Sequence, residues 1–242
     1  MLNLKIDDIK NKFEAEIAKH LADLESSLQS IDDGTYAISR GRPTGFGSIR
    51  IDYSNLDILS EAPQRNINKC FLVMMADFVS FLDTIIAVKQ MLKNGVVVTK
   101  TIKKDELIKY VQNKLEQNIN KVSKLKLNNI EKLKTVGGLT PATQRAIEGY
   151  FALRRSLEHR RNRLDNDTKL TTIGVIKLFD GKTEMEPGHV MRGGSIIEAR
   201  LENRERILSK GSKVDISEDE IRGIVIMLRR AAHEIIKPLY SK

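Results

Sequence analysis

"INKCFLVMMADFVSFLDTIIAVKQML", residues 67–92, decides the fold. Phe71, Met74, Phe78, Phe81, Ile85, Val88 and Leu92 recur at steps of three and four, which is one stripe of an α-helix. Asn94-Gly95 supplies the stop. A helix this apolar belongs at the centre of a core, so the elements around it must offer apolar faces of their own. Cys70 falls inside the run and reads as core, since a single cysteine allows neither a disulfide nor a paired-cysteine zinc site.

On the N-terminal side, Ile6, Ile9, Phe13, Ile17, Leu21, Leu24, Leu28 and Ile31 keep the same spacing and predict an amphipathic helix ending before Asp33-Gly34. "TYAIS" and "SIRIDY" flank "RGRPTGFG", predicting a hairpin over Tyr36–Ser39 and Ser48–Tyr53. Gly41, Gly45 and Gly47 beside Arg40 and Arg42 match no dinucleotide or phosphate-loop pattern and read as the hairpin's tight end. Residues 1–61 are thus expected to form a helix-and-hairpin extension, and residues 62–242 a helical domain.

On the C-terminal side, a short β-branched "VVVTKTI" precedes Ile108, Val111, Leu115, Ile119, Val122, Ile130 and Leu133, predicting one helix from about Asp105 to Gly137-Gly138, antiparallel to the central one. Thr140-Pro141 is a helix start, with Thr to cap and Pro at the first position. "TTIGVIKLFDGKTEMEPG" alternates like a strand and reads as a short hairpin or loop. Ile196 to Leu208 predicts a modest helix, and "SEDE", Ser217–Glu220, is a capping box opening the last helix, which runs to about Lys237. The class expected is mainly α, a helical bundle with two small β excursions.

At 242 residues and 40% apolar content the chain can bury a real core. Forty-one Lys and Arg against thirty-two Asp and Glu give +9, a field that favours an anionic partner such as nucleic acid. No run of about 18 uncharged apolar residues occurs, and Met1 to Lys19 alternates charge with apolar residues, so no membrane association and a cytoplasmic location are expected. Aromatics are 5% of the chain with no Trp, so base-stacking platforms are poorly supplied. His20 and His189 lie apart from acidic or cysteine partners at ligand spacing, so no metal site is expected.

The basic surplus is densest in "YFALRRSLEHRRNRLDN", Tyr150–Asn166, where five arginines lie within ten residues around His159. Arginine's planar fork suits phosphate. On a helical wheel Ala146, Tyr150, Leu153, Leu157 and Leu164 form the core stripe. Arg155 and His159 lie opposite it, with Phe151 and Arg163 to one side and Arg154 on the flank. Like charges around His159 favour the neutral imidazole, which can accept a proton from a ribose 2′-hydroxyl while arginines stabilise the charge developing on phosphate. The plain alternative is a solvated face on which Glu158 pairs with Arg154 at i, i+4. Asp77 and Asp83 either orient the motif residues or face solvent. In "LRRAAHEI", with Arg229, Arg230 and His233, the histidine reads as a structural or boundary residue.

Arg154, four residues, then His159 resembles the Arg, four to six residues, His motif of the HEPN superfamily (higher eukaryotes and prokaryotes nucleotide-binding domain), over roughly Ala62 to Leu239. The resemblance implies a helical bundle acting as a metal-independent endoribonuclease, free of cofactors, found among toxins and antiviral defence proteins. It implies a homodimer in which Arg and His of two protomers meet, and a possible antitoxin or regulatory partner. Carried over, Arg154 is the phosphate-stabilising arginine and His159 the base or acid. Arg155, Arg160, Arg161 and Arg163 are assigned to RNA backbone binding on their chemistry alone. Family nucleases usually have Asn, Asp or His after the motif arginine, whereas this chain has Arg155. That leaves a second expectation, a catalytically silent module binding RNA or an acidic partner through the same face.

Overall fold

The computed structural model describes residues 6–33, 58–94, 104–125, 127–160, 162–180, 183–184 and 197–240. The expected hairpin over residues 36–53 with Arg40 and Arg42, the "VVVTKTI" stretch, Arg161 and His189 lie outside them. Six helices are described: α1 (Ile6–Asp32), α2 (Ile58–Asn94), α3 (Lys104–Lys124), α4 (Asn129–Val136), α5 (Pro141–His159) and α6 (Glu218–Ile236). Between α5 and α6 come β1 (Thr168–Asp180), the two-residue β2 (Thr183–Glu184) and β3 (Ile197–Leu208). The protein is mainly α with a small antiparallel sheet in the order β2-β1-β3.

α2 is the axis of the core. Phe71, Met74, Met75, Phe78, Leu82, Ile85 and Ile86 are all essentially inaccessible, so more than one stripe is buried. Leu92 departs from the expected stripe and is exposed, while Val88 and Met91, one turn and one residue before it, stay buried. α1, α3, α4, α5 and α6 all pack on α2. By length and composition Glu61–Asn94 could cross a membrane, but 61% of its most apolar window is buried inside this fold. α1, assigned on sequence to an extension, contributes Phe13, Ile17 and Leu24 to the same core, with Phe13 stacked 4.9 Å from Phe81.

The helix expected from Asp105 to Gly137 is two helices. The break falls at Asn128, whose side chain accepts the Glu131 N–H while Glu131 caps the Asn128 N–H in return, a capping box that starts α4 afresh. α4 docks on α2 through a buried ion pair: Lys132 Nζ lies 2.7 and 2.8 Å from the two carboxylate oxygens of Asp83, each side chain 9% exposed. Of these two oxygens only Oδ2 is aligned as a hydrogen-bond acceptor.

The modest helix expected from Ile196 to Leu208 is instead β3, paired antiparallel with β1 from Thr168↔Leu208 to Asp180↔Ile197, with one register slip between Val175 and Lys177. Its Glu, Ala, Arg and Leu favour a helix in isolation, but pairing against the β-branched β1 overrides that propensity. α5 and α6 both press on β1 where they lack a Cβ. An added Cβ at Gly149 would come 2.6 Å from the Lys169 carbonyl oxygen, and one at Gly223 2.8 Å from that of Ile173. Arg206 of β3 forks onto Glu220, which also caps its own helix at Ser217, so strand and helix share one carboxylate.

Candidate functional site

α5 positions the site, and its N-terminus is built as the sequence predicts. Thr140 Oγ1 accepts the Thr143 N–H, Pro141 takes the first turn, and Glu234 of α6 accepts the Thr140 N–H at 2.8 Å. Burial works against the Glu234 charge, but hydrogen bonds from the Thr140 backbone, Arg230 and Thr143 hold its carboxyl below the usual range. Halfway along, Tyr150 is fully buried; its hydroxyl donates to the Thr171 carbonyl, edge-on to Phe71, and burial pushes the phenol up. Phe151, expected on the outer face, is buried against Phe78. The helix therefore shows the core a broader face than a single stripe.

α5 ends at His159, short of Arg163 and Leu164, which the wheel reading carries on the same helix. Arg160 leaves helical geometry, and Asn162, with φ +64°, turns the chain back in the left-handed region that Asn tolerates. Both the Arg160 and the Asn162 N–H donate to the Ser156 carbonyl. The chain is then stitched to residues 209–214: Val214 N–H donates to Asn162 (2.7 Å), Leu164 N–H to Ser212 (3.1 Å) and Gly211 N–H to Leu164 (2.8 Å).

This path sorts the predicted residues. Arg154 folds inward, 20% exposed, with Nε on Glu158 (2.8 Å) and Nη1 on the Met75 carbonyl of α2 (3.3 Å). His159 projects outward, 70% exposed, and the charge recorded beside it is the other oxygen of Glu158, at 3.8 Å. The expected company of arginines is thus reduced to Arg155 and joined by a carboxylate, because the helix stops before Arg160 and Arg163 can share its face. Arg155 is exposed on the side of His159 and meets no carboxylate among the described residues. Arg160 is paired with Asp165 at 3.4 Å, and Arg163 donates to the Gly211 carbonyl at 2.8 Å.

Asp77 and Asp83 do not touch these residues. Asp77 holds His20 at 2.8 Å and Asp83 holds Lys132. Cys70 is buried beside α1, and its thiol is pushed up to about 11 by burial and by Asp23. Arg229 reaches Glu14 and Arg230 reaches Glu234, while His233 is exposed. Among the described residues no three His, Cys, Asp or Glu side chains gather as a metal-binding group.

The sequence reading missed two basic residues. Lys210 and Lys213 stand exposed in the turn stitched to the end of the motif segment, Lys213 in a β-bridge opposite Arg163. The available signal was "SKGSK", a glycine turn between lysines, legible only as a helix stop while β3 was read as helix. No protein family, curated protein or solved structure matches the chain.

Proposed function

We propose that the protein is a metal-independent endoribonuclease of HEPN type, working as a homodimer with the ends of two α5 helices forming its cleft. The observation that carries the reading is Glu158. Arg154 and His159 lie about 140° apart on an ideal wheel, yet one carboxylate reaches both, at 2.8 and 3.8 Å, at the exposed end of α5. In the reaction His159 takes the proton of a ribose 2′-hydroxyl and the 2′-oxygen attacks the adjacent phosphorus. The P–O5′ bond breaks, the imidazolium returns its proton to the leaving oxygen, and a 2′,3′-cyclic phosphate remains. Arg154, with Nη2 uncommitted among its described contacts, and Arg155 stabilise the charge on the phosphoryl oxygens.

The second reading, a silent RNA-binding module, is favoured by the engagement of Arg154 with both Glu158 and the Met75 carbonyl, and by Arg155 in the place of Asn. Incubating the protein with total RNA in EDTA separates the two. The nuclease reading expects cutting that persists in chelator and falls on the order of a hundredfold in Arg154→Ala. Intact RNA recovered from a salt-sensitive complex supports the silent module instead.

A further inference from the structure

We infer that the 209–213 turn forms a second part of the RNA contact surface, in which Lys210 and Lys213, with Arg163, hold phosphates flanking the one attacked at the end of α5. The inference rests on the ribonucleic acid reading above and extends it to residues that the motif does not include.

Charge compensation selects this turn. Of the basic residues after His159, Arg160 spends its charge on Asp165 at 3.4 Å. Arg163 donates only to a neutral carbonyl, that of Gly211, so its charge stays uncompensated by that bond. Among the described residues neither Lys210 nor Lys213 meets a carboxylate through its ammonium. Asp167 approaches Lys210 only at the backbone, accepting its N–H at 2.7 Å.

Geometry fixes the turn in place. The three backbone hydrogen bonds between residues 211–214 and residues 162–164, and the Arg163↔Lys213 bridge, hold it against the segment that leaves His159. Ser212 Oγ closes it on the Ser209 carbonyl at 2.6 Å. Among the described residues, none but the chain neighbours of Gly211, at φ +78°, comes within 4 Å of where its Cβ would stand, so the turn's tip is open to a ligand. An uncompensated, open basic turn held to the segment that follows the exposed His159 suits a strand longer than the two nucleotides that react. Lysines acting as point charges bind such a backbone without reading its bases.

The test measures binding of a 2′-O-methyl oligoribonucleotide, which cannot be cut, by fluorescence anisotropy over a range of salt. Lys210→Ala/Lys213→Ala is expected to weaken binding on the order of tenfold at low salt. It should flatten the log–log salt slope by about 1.4, or about 0.7 per single-strand phosphate. Both lysines are exposed, so the unfolding midpoint should not move. The charge reversal Lys210→Glu/Lys213→Glu should weaken binding further. Unchanged affinity and slope in the double variant, with Arg155→Ala weakening binding, would overturn the turn's role and leave the α5 site standing. Absence of any salt-sensitive binding by the unaltered chain would overturn both.

Discussion

Replacing Asp83 by Leu strands the Lys132 ammonium at a position where it is 9% exposed and is paired with Asp83. An exposed ion pair contributes under about 1 kcal/mol. Removing one member of a buried pair costs about 3–5 kcal/mol, because the remaining charge keeps its desolvation penalty and loses its compensation. For a chain of this length each kcal/mol moves the melting midpoint by about 2–4 °C, so the single variant should melt roughly 6–20 °C lower. Lys132→Met should cost a similar amount by leaving the carboxylate alone. The double variant Asp83→Leu/Lys132→Met should recover most of the loss, since apolar residues of similar volume replace a buried pair at little or no cost. Urea unfolding of all four proteins, followed by circular dichroism, yields the coupling energy directly. Single-variant losses under about 1 kcal/mol, or a double variant as unstable as the sum of the singles, would refute the view that this pair docks α4 on α2.

Two further changes probe how α5 is held. Gly149→Ala should destabilise by about 1–3 kcal/mol, because the new methyl meets the backbone carbonyl of Lys169 at 2.6 Å and a paired strand cannot easily retreat; a thermal melt measures it. Glu234, whose carboxyl is held below its usual range, contributes stability that is present above the unfolded value of about 4.3 and is lost as pH falls through the lower folded value. Between about pH 5 and pH 3 the unaltered chain should therefore lose more stability than Glu234→Gln, and equal losses would remove the claim.

The fold was legible wherever a local signal and the tertiary outcome agree. The stripes of α1 and α2, the Thr140-Pro141 start and the Ser217–Glu220 capping box all act within a turn or two of chain, and each forms as read apart from the exposed Leu92 at the end of α2. β3 departs from the sequence reading because its helix-favouring residues carry no trace of the partner strand upstream, whose paired residues run from Asp180↔Ile197 to Thr168↔Leu208. The α3–α4 break was legible in principle, since Asn128 and Glu131 stand at capping-box spacing, but the continuing apolar period hid it.

The site was half legible for the same reason. Arg154 and His159 were found as a spacing, and the Arg154–Glu158 pair was anticipated as the plain alternative. The surroundings of His159 depend on where α5 stops, and a run of arginines does not encode that. Asn162 turns the chain, sends Arg160 to Asp165 and brings Lys210 and Lys213 alongside from fifty residues away.

The central claim is that His159 activates a ribose 2′-hydroxyl. The most direct measurement compares, in EDTA, cleavage of one RNA strand and of its 2′-O-methyl counterpart by the unaltered chain and by His159→Ala. The account predicts cutting of the RNA alone, ends carrying 2′,3′-cyclic phosphate, and a loss of about 10²–10⁴-fold in the variant with binding retained. Cutting of the methylated strand, or undiminished cutting by His159→Ala, would contradict it.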